Sequence, residues 1–284
     1  MSSSRADAFR KLHAAGTFVM PNPFDVGSTR LLSSLGFQAL ATTSAGFAAT
    51  LGRLDMSVSL DDLLGHVAAL TAATELPLNV DSERCFAEDL AGIGATIAAL
   101  ADAGAAGCSI EDWNPVTGKV DGLEDATKRV AAAAAAARKA GIVLTARCEN
   151  HIRGVTDFED TMRRLIAYVQ AGAEVAYAPG LVDLAQLRRV VEEVGAPINA
   201  LLIPKGPSVS QLADVGVRRI SVGSGLSTIA YGAMIGAAKE LLASGTIAAA
   251  ANFDRKLVAD AFKPQPLPQG GQGIIALSSA KSSR

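Results

Sequence analysis

The sequence predicts an α/β fold, a (β/α)8 TIM-type barrel, and three observations carry that expectation. The chain has 284 residues, 49% of them hydrophobic, which suits one barrel of about 250 residues better than two small cores. Eight short apolar runs alternate with helix-patterned segments, the pattern of parallel strands buried on both faces. Three runs end in charge: 76–83 on Asp81 and Glu83, 107–112 on Glu111 and Asp112, and 142–149 on Arg147 and Glu149. Strand C-terminal ends converge on the face of such a barrel where active sites are built, so these scattered charges can form one site. An open doubly wound sheet is the alternative, but no GxGxxG follows the first run.

Each element has its own signal. Residues 4–15 read as a lead helix, with Phe9 and Leu12 on one face and Gly16 as its stop. A first strand at 17–20 precedes a proline-marked turn at 21–25 and a helix that ends at Gly36. The second strand, 38–43, runs into Ser44, Ala45 and Gly46, whose small side chains leave backbone amides open to an anion. The third strand delivers Asp81 and Glu83, two apart and so on one side if the strand continues through both. A helix at 90–103, a fourth strand, and an alanine-rich helix at 123–140 follow. Then come the fifth strand, a helix at 158–171, a strand at 175–178, a helix at 184–194, a strand at 197–203, a short helix from Ser208 and a strand at 219–222. A helix at 226–242 completes the eighth unit. A further helix at 247–262 is surplus to a closed barrel and is expected to dock on a neighbouring subunit. The barrel domain is expected to occupy 1–262, and the Pro/Gln/Gly/Ser-rich tail at 263–284 to be flexible.

Composition narrows the function. A net charge of −2 without a basic run gives no footprint for nucleic acid or an anionic membrane. The first residues lack a signal-peptide pattern and no apolar stretch is long enough to span a bilayer, so a cytoplasmic protein is expected. Cys85, Cys108 and Cys148 are odd in number and lack CxxC spacing, which argues against a disulfide framework or a zinc site. Asp81, Glu83 and Glu111 are hard oxygen donors suited to Mg²⁺ or Mn²⁺. The competing reading is that each caps a helix or pairs with Arg84 or Arg147. Arg147 itself is a bidentate donor for a substrate carboxylate, or else the counter-ion of Glu149 or Glu111. Trp113 either covers the substrate or packs on a helix, and His13 and His66 sit on helices in surface or structural roles.

Several motifs together resemble the isocitrate lyase and phosphoenolpyruvate mutase superfamily over about residues 8–245. They are residues 18–25 with Leu31, then 41–48 and 51–55, and the strand ends at 80–83, 109–112 and 145–149. The resemblance implies an (α/β)8 barrel whose eighth-unit helix is swapped between subunits, in a dimer of dimers, and a Mg²⁺ site for 2-oxo acids and their enolates. It implies Asp81 as the direct metal ligand, with Glu83, Glu111 and Asp55 holding metal-bound waters. The backbone of Thr43, Ser44, Ala45 and Gly46, with Arg147, would clamp the carboxylate, and Arg147, Asp55 and Glu111 would be the catalytic side chains.

The chain also departs from that family. Its lyases carry a Lys-Lys-Cys-Gly-His loop after the fourth strand, whose cysteine is the acid; here the segment is Trp113-Asn114-Pro115-Val116-Thr117-Gly118-Lys119. The Phe-Pro-Lys-Thr loop of the mutase branch is missing too, with Lys119 as a possible stand-in. Cys85, Lys119 and His151 are the candidates for the replacement acid. The expected function is a Mg²⁺-dependent lyase that cleaves a C–C bond in a small 2-hydroxy or 2-oxo acid through an enolate, as in oxaloacetate decarboxylation or substituted-malate cleavage. The alternatives are P–C bond chemistry on a phosphonate, and a non-catalytic 2-oxo acid binder.

Overall fold

A computed structural model of the chain describes residues 2–248 and 253–263. Eight parallel strands line one sheet: β1 (Phe18–Met20), β2 (Leu40–Ala41), β3 (Leu78–Asp81), β4 (Gly107–Glu111), β7 (Val143–Arg147), β8 (Val175–Tyr177), β9 (Ile198–Leu201) and β10 (Arg219–Ser221). Their order is β1-β10-β9-β8-β7-β4-β3-β2. The Ala41 N–H donates to the Pro21 carbonyl at 3.1 Å, which brings the two ends of the sheet together and nearly closes the barrel. The register sets Glu111 beside Arg147, Arg147 beside Tyr177, and Arg219 beside both Phe18 and Asn199.

Helix α1 (Ser2–Ala14) precedes the first strand, and α2 (Val26–Ser34), α3 (Ser44–Thr50), α4 (Leu60–Ala72), α5 (Leu90–Asp102), α6 (Leu123–Ala140), α7 (Phe158–Gln170), α8 (Leu184–Glu193) and α9 (Val209–Asp214) follow strands. Their starts are set by side-chain caps: Asp25, Ser59 and Ser208 close capping boxes, and Asp89, Asp157 and Asp183 accept single cap bonds. Helix α6 has Glu124 and Asp125 in its first turn, Arg138 and Lys139 in its last, and stops at Gly141 with φ 75°. The outer faces of the strands and the inner faces of the helices share one apolar core. A second cluster fills the barrel's lower interior, where Phe9 of α1 plugs the end against Phe18, Met20, Ala39 and Val143. Gly107 is required there, because a Cβ would stand 2.9 Å from Asn79 Oδ1, Phe9 Cε1 and the Val143 carbonyl.

Three features differ from the sequence expectation. The strand read at 38–43 forms ladder bonds only at Leu40–Ala41, because Thr43 turns to cap α3, so Ser44, Ala45 and Gly46 open a helix instead of a loop. The segment after β4 is a short antiparallel hairpin of β5 (Trp113–Asn114) and β6 (Lys119–Val120). The surplus helix is α11 (Arg255–Ala261), and it lies on α2 of its own chain, with Arg30 Nη1 donating to the Phe262 carbonyl at 3.3 Å. Residues 249–252 of that stretch and the tail from 264 lie outside the described residues. The apolar surface left open is on α10 (Gly225–Ser244): only Ser227 is buried, while Ile229 is 68% and Leu242 90% exposed. Among the described residues no helix is long and apolar enough to cross a membrane.

Candidate active site

The C-terminal ends of β3, β4 and β7 bring Asp81, Glu111 and Arg147 to one point. Arg147 Nη1 donates to Asp81 Oδ1 at 2.6 Å, its Nη2 lies 3.1 Å from Glu111 Oε2, and its Nε donates to Glu149 Oε1 at 3.0 Å. Asp81 is held from both sides, its N–H donating to Thr42 Oγ1 at 2.8 Å and its Oδ2 accepting from the Ser44 N–H at 3.3 Å. These groups stand at a cavity of about 170 Å³ whose wall includes Thr43, Ser44, Ala45, Asp55, Asp81 and Arg147. Of the residues singled out from sequence, Glu83 and Glu111 lie behind this wall and Gly46 lies beneath it, buried in the first turn of α3.

Crowding of like charges sets the electrostatics. Burial raises Glu83 to about 8, reinforced by Asp81 and Asp55 and opposed by Arg147. Burial likewise lifts Glu111 well above the usual carboxylate range against the pull of Arg147. Burial works against the charge on Arg147, but Glu149, Asp81 and Glu111 outweigh it and hold the guanidinium firmly protonated. Arg147 is thus a shared counter-ion for several acids, while Arg84 is taken up by Asp121 at 2.9 Å.

The same acids fit a hard cation. Glu83 Oε1 and Glu111 Oε1 are buried without a hydrogen-bond partner, and unsatisfied buried carboxylate oxygens call for a cation or ordered water. Among the described residues no three His, Cys, Asp or Glu side chains draw close enough for a compact ligand set. A donor set of one well-placed carboxylate with others set back matches Mg²⁺ or Mn²⁺, which keep several waters. The period-two expectation fails at Glu83, because β3 ends at Asp81 and the backbone turns left-handed at Glu83 (φ 47°), Cys85 (63°) and Phe86 (50°). Three such non-glycine residues in one segment are strained, and they hold Glu83 buried under the rim instead of in the cavity wall.

Other sequence candidates are placed elsewhere. Cys85 is fully buried in the apolar core and its thiol is pushed up to about 12 by that burial, which removes it as an acid. Lys119 and Trp113 line a separate cavity beside the hairpin, and Arg153 stacks 4.0 Å from the Trp113 ring, so Trp113 does not cover the rim site. His151 is off the cavity wall, with Nε2 buried and unpaired. The hairpin is tied down: Arg84 and Asn114 both bond Asp121, and Asp112 accepts from Tyr168 at 2.6 Å and from Arg164 at 3.2 Å.

Sequence reasoning missed the lower cavity. Asn22, Asn79, Tyr177, Asn199, Arg219 and Ser221 all line it. The guanidinium of Arg219, 1% exposed, has no carboxylate beside it. Its Nε donates to Asn199 Oδ1 and its Nη2 to Thr145 Oγ1, each at 2.9 Å, and Nη1 faces His13 Nε2 at 3.4 Å. His13 is accordingly buried and lowered to about 3, by burial and then by Arg219. The signal available was a polar residue inside an apolar run, Asn199 between Ile198 and Ala200 and Arg219 before Ile220.

Known proteins resemble this chain in sequence and fold. The family described as phosphoenolpyruvate phosphomutase matches residues 9–242. A crystal structure of a Burkholderia cenocepacia J2315 protein, provisionally assigned as a lyase or mutase, is 41% identical, with 91% of this chain and 96% of that one covered and a TM-score of 0.87. The 2-methylisocitrate lyase of Aeropyrum pernix is 29% identical, covering 70% of this chain and 67% of its own length. The oxaloacetate decarboxylase of Rhodopseudomonas palustris is 28% identical, covering 69% and 70%.

Proposed function

The chain belongs to the phosphoenolpyruvate phosphomutase family within the isocitrate lyase and phosphoenolpyruvate mutase superfamily, and from that premise we propose that it is a divalent-metal-dependent C–C lyase of a small 2-oxo or 2-hydroxy acid, an oxaloacetate-like dicarboxylate first. The observation that carries this reading is that Asp81 and Arg147 stand in the wall of one small cavity, with Glu111 on Arg147 and the buried Glu83 set behind that wall. At about 170 Å³ it lies well below the roughly 300–1,000 Å³ of pockets for drug-sized ligands, which suits an acid of a few carbons.

Asp81, Glu83 and Glu111 would hold Mg²⁺ or Mn²⁺, with Asp55 at the mouth; bound there, the cation supplies Lewis-acid stabilisation of the charge on the substrate's 2-oxygen. Arg147 orients a substrate carboxylate, exchanging its Asp81 contact for a bidentate pair. The backbone of Thr43, Ser44 and Ala45 at the start of α3 would face the other end of the acid, while Gly46, whose N–H is taken by Thr43 Oγ1, lies beneath it. Phosphonate chemistry has less support, because Lys119, the substitute for the mutase lysine, is on the hairpin away from this cavity. The test is pyruvate release from oxaloacetate with and without Mg²⁺, beside substituted malates and phosphonopyruvate. Metal-dependent cleavage of an oxo or malate acid is expected; turnover of phosphonopyruvate alone would replace the reading.

The open apolar face of α10 supports assembly through that helix. Leu242→Glu combined with Ile235→Glu is expected to lower the mass seen by light scattering, and an unchanged mass would remove α10 from the interface.

A further inference from the structure

The hairpin that stands in place of the lyase loop carries no cysteine, so the enolate left by C–C cleavage needs another proton donor. We propose that the hydroxyl of Tyr177, on the cavity wall beside a hydrogen-bond chain that starts at Arg219, is that donor; this rests on the C–C lyase reading above.

The chain has a fixed direction. A guanidinium has only donors, so the bond from Arg219 Nε at 2.9 Å makes the Asn199 side-chain oxygen the acceptor and fixes which way its amide points. Asn199 Nδ2 must then donate, and it does, to Ser221 Oγ at 3.0 Å. Having accepted that bond, Ser221 has its single O–H left to give, and it lines the same cavity as Tyr177. Tyr177 lines the cavity at the C-terminal end of β8, beside Arg147 in the register, where its O–H can be given to a bound enolate. Burial draws Arg219 down only to about 9, so at neutral pH it keeps its proton and can serve only as a donor to Asn199 and Thr145.

The surroundings suit an acid. Burial raises the phenol to about 12, with Arg147 and Ser221 pulling the other way, so the proton is in place at neutral pH. The guanidinium carbon of Arg147 lies 5.6 Å from the Tyr177 ring centroid, ready to stabilise the anion that donation leaves. In the step itself the breaking C–C bond leaves its electron pair in the enolate. The Tyr177 O–H bond then breaks, its proton forming the new C–H bond and its electron pair remaining on oxygen as phenolate, and a proton from water restores the phenol. Cys85, Lys119 and His151 are off the wall of this cavity, whereas Tyr177 is on it.

The test isolates proton donation from bond cleavage. Enolpyruvate is generated from phosphoenolpyruvate by a phosphatase, and its ketonisation is followed with the full-length protein and Mg²⁺. The wild type is expected to accelerate ketonisation, and Tyr177→Phe to lose about 100-fold or more of that acceleration, with its melting temperature and its binding of Mg²⁺ and oxalate by calorimetry unchanged. Ser221→Ala, at a positioning residue, is expected to lose about tenfold without loss of oxalate binding, and Ser221→Thr to recover it. A Tyr177→Phe protein as fast as the wild type, or a wild type with no acceleration, would overturn the proposal. Ketonisation without cleavage of any acid in the substrate panel would instead overturn the lyase reading and leave Tyr177 as the donor.

Discussion

The barrel holds two buried arginines in opposite surroundings. Arg147, at the rim, is gripped by Asp81, Glu111 and Glu149 and held firmly charged. Arg219, one layer below, touches only neutral partners, and burial draws it down to about 9. The rim arginine balances charge; the lower one spends its donors on geometry, fixing the direction of amides and hydroxyls around it. A layer of the barrel interior normally filled by branched apolar side chains has here been given over to polar ones, above the apolar plug of Phe9, and that is where binding and orientation part company.

The comparison is broken most readily at the rim. Arg147→Met strands Glu111 and Glu149 without their cation, and in metal-free protein it is expected to cost about 3–5 kcal/mol by urea unfolding. Mg²⁺ should recover part of that loss if the same acids bind it. Arg219→Met is expected to cost less, about 1–3 kcal/mol, since it leaves only neutral groups unpaired. Mg²⁺ should not recover it. Equal losses, or equal recovery, would mean that the two arginines do the same work.

Glu83 sharpens the contrast through pH. Its folded value of about 8 stands above the ordinary 4.5, so between those values the folded protein keeps a proton that the unfolded chain has lost. The stability this gives is full below about 4.5 and fades as pH rises through about 8. Metal-free wild type should therefore lose stability between about pH 5 and about pH 9, and Glu83→Gln, neutral throughout, should flatten that fall by up to about 5 kcal/mol. The smallest effect is expected at Lys119: Lys119→Ala should change stability by less than about 0.5 kcal/mol and turnover not at all. A lost turnover would reopen the hairpin as part of the site.

The rim was legible because charge at the end of an apolar run is conspicuous. Asp81, Glu111 and Arg147 could be assigned to one face from strand ends alone, and the helices 123–140 and 158–170 from their periodicity and caps. The lower cavity was not, because a parallel strand buried on both faces reads as one apolar run, and Asn199 or Tyr177 within it looks like an interruption instead of an inward-facing group. Glu83 was misplaced for a different reason: period-two reasoning assumes that the strand continues, and the left-handed turn at residues 83–86 has no glycine to announce it. The hairpin at 113–120 was read as a loop because strands of two residues carry no periodicity.

The most direct test is calorimetric titration of Mg²⁺ and then oxalate, a mimic of the enolate, into wild type and Asp81→Ala. Wild type is expected to bind Mg²⁺ and, only in its presence, oxalate, while the variant, still folded, should bind neither. An Asp81→Ala protein that took up both with wild-type affinity would contradict a metal-supported enolate site at the ends of β3 and β4.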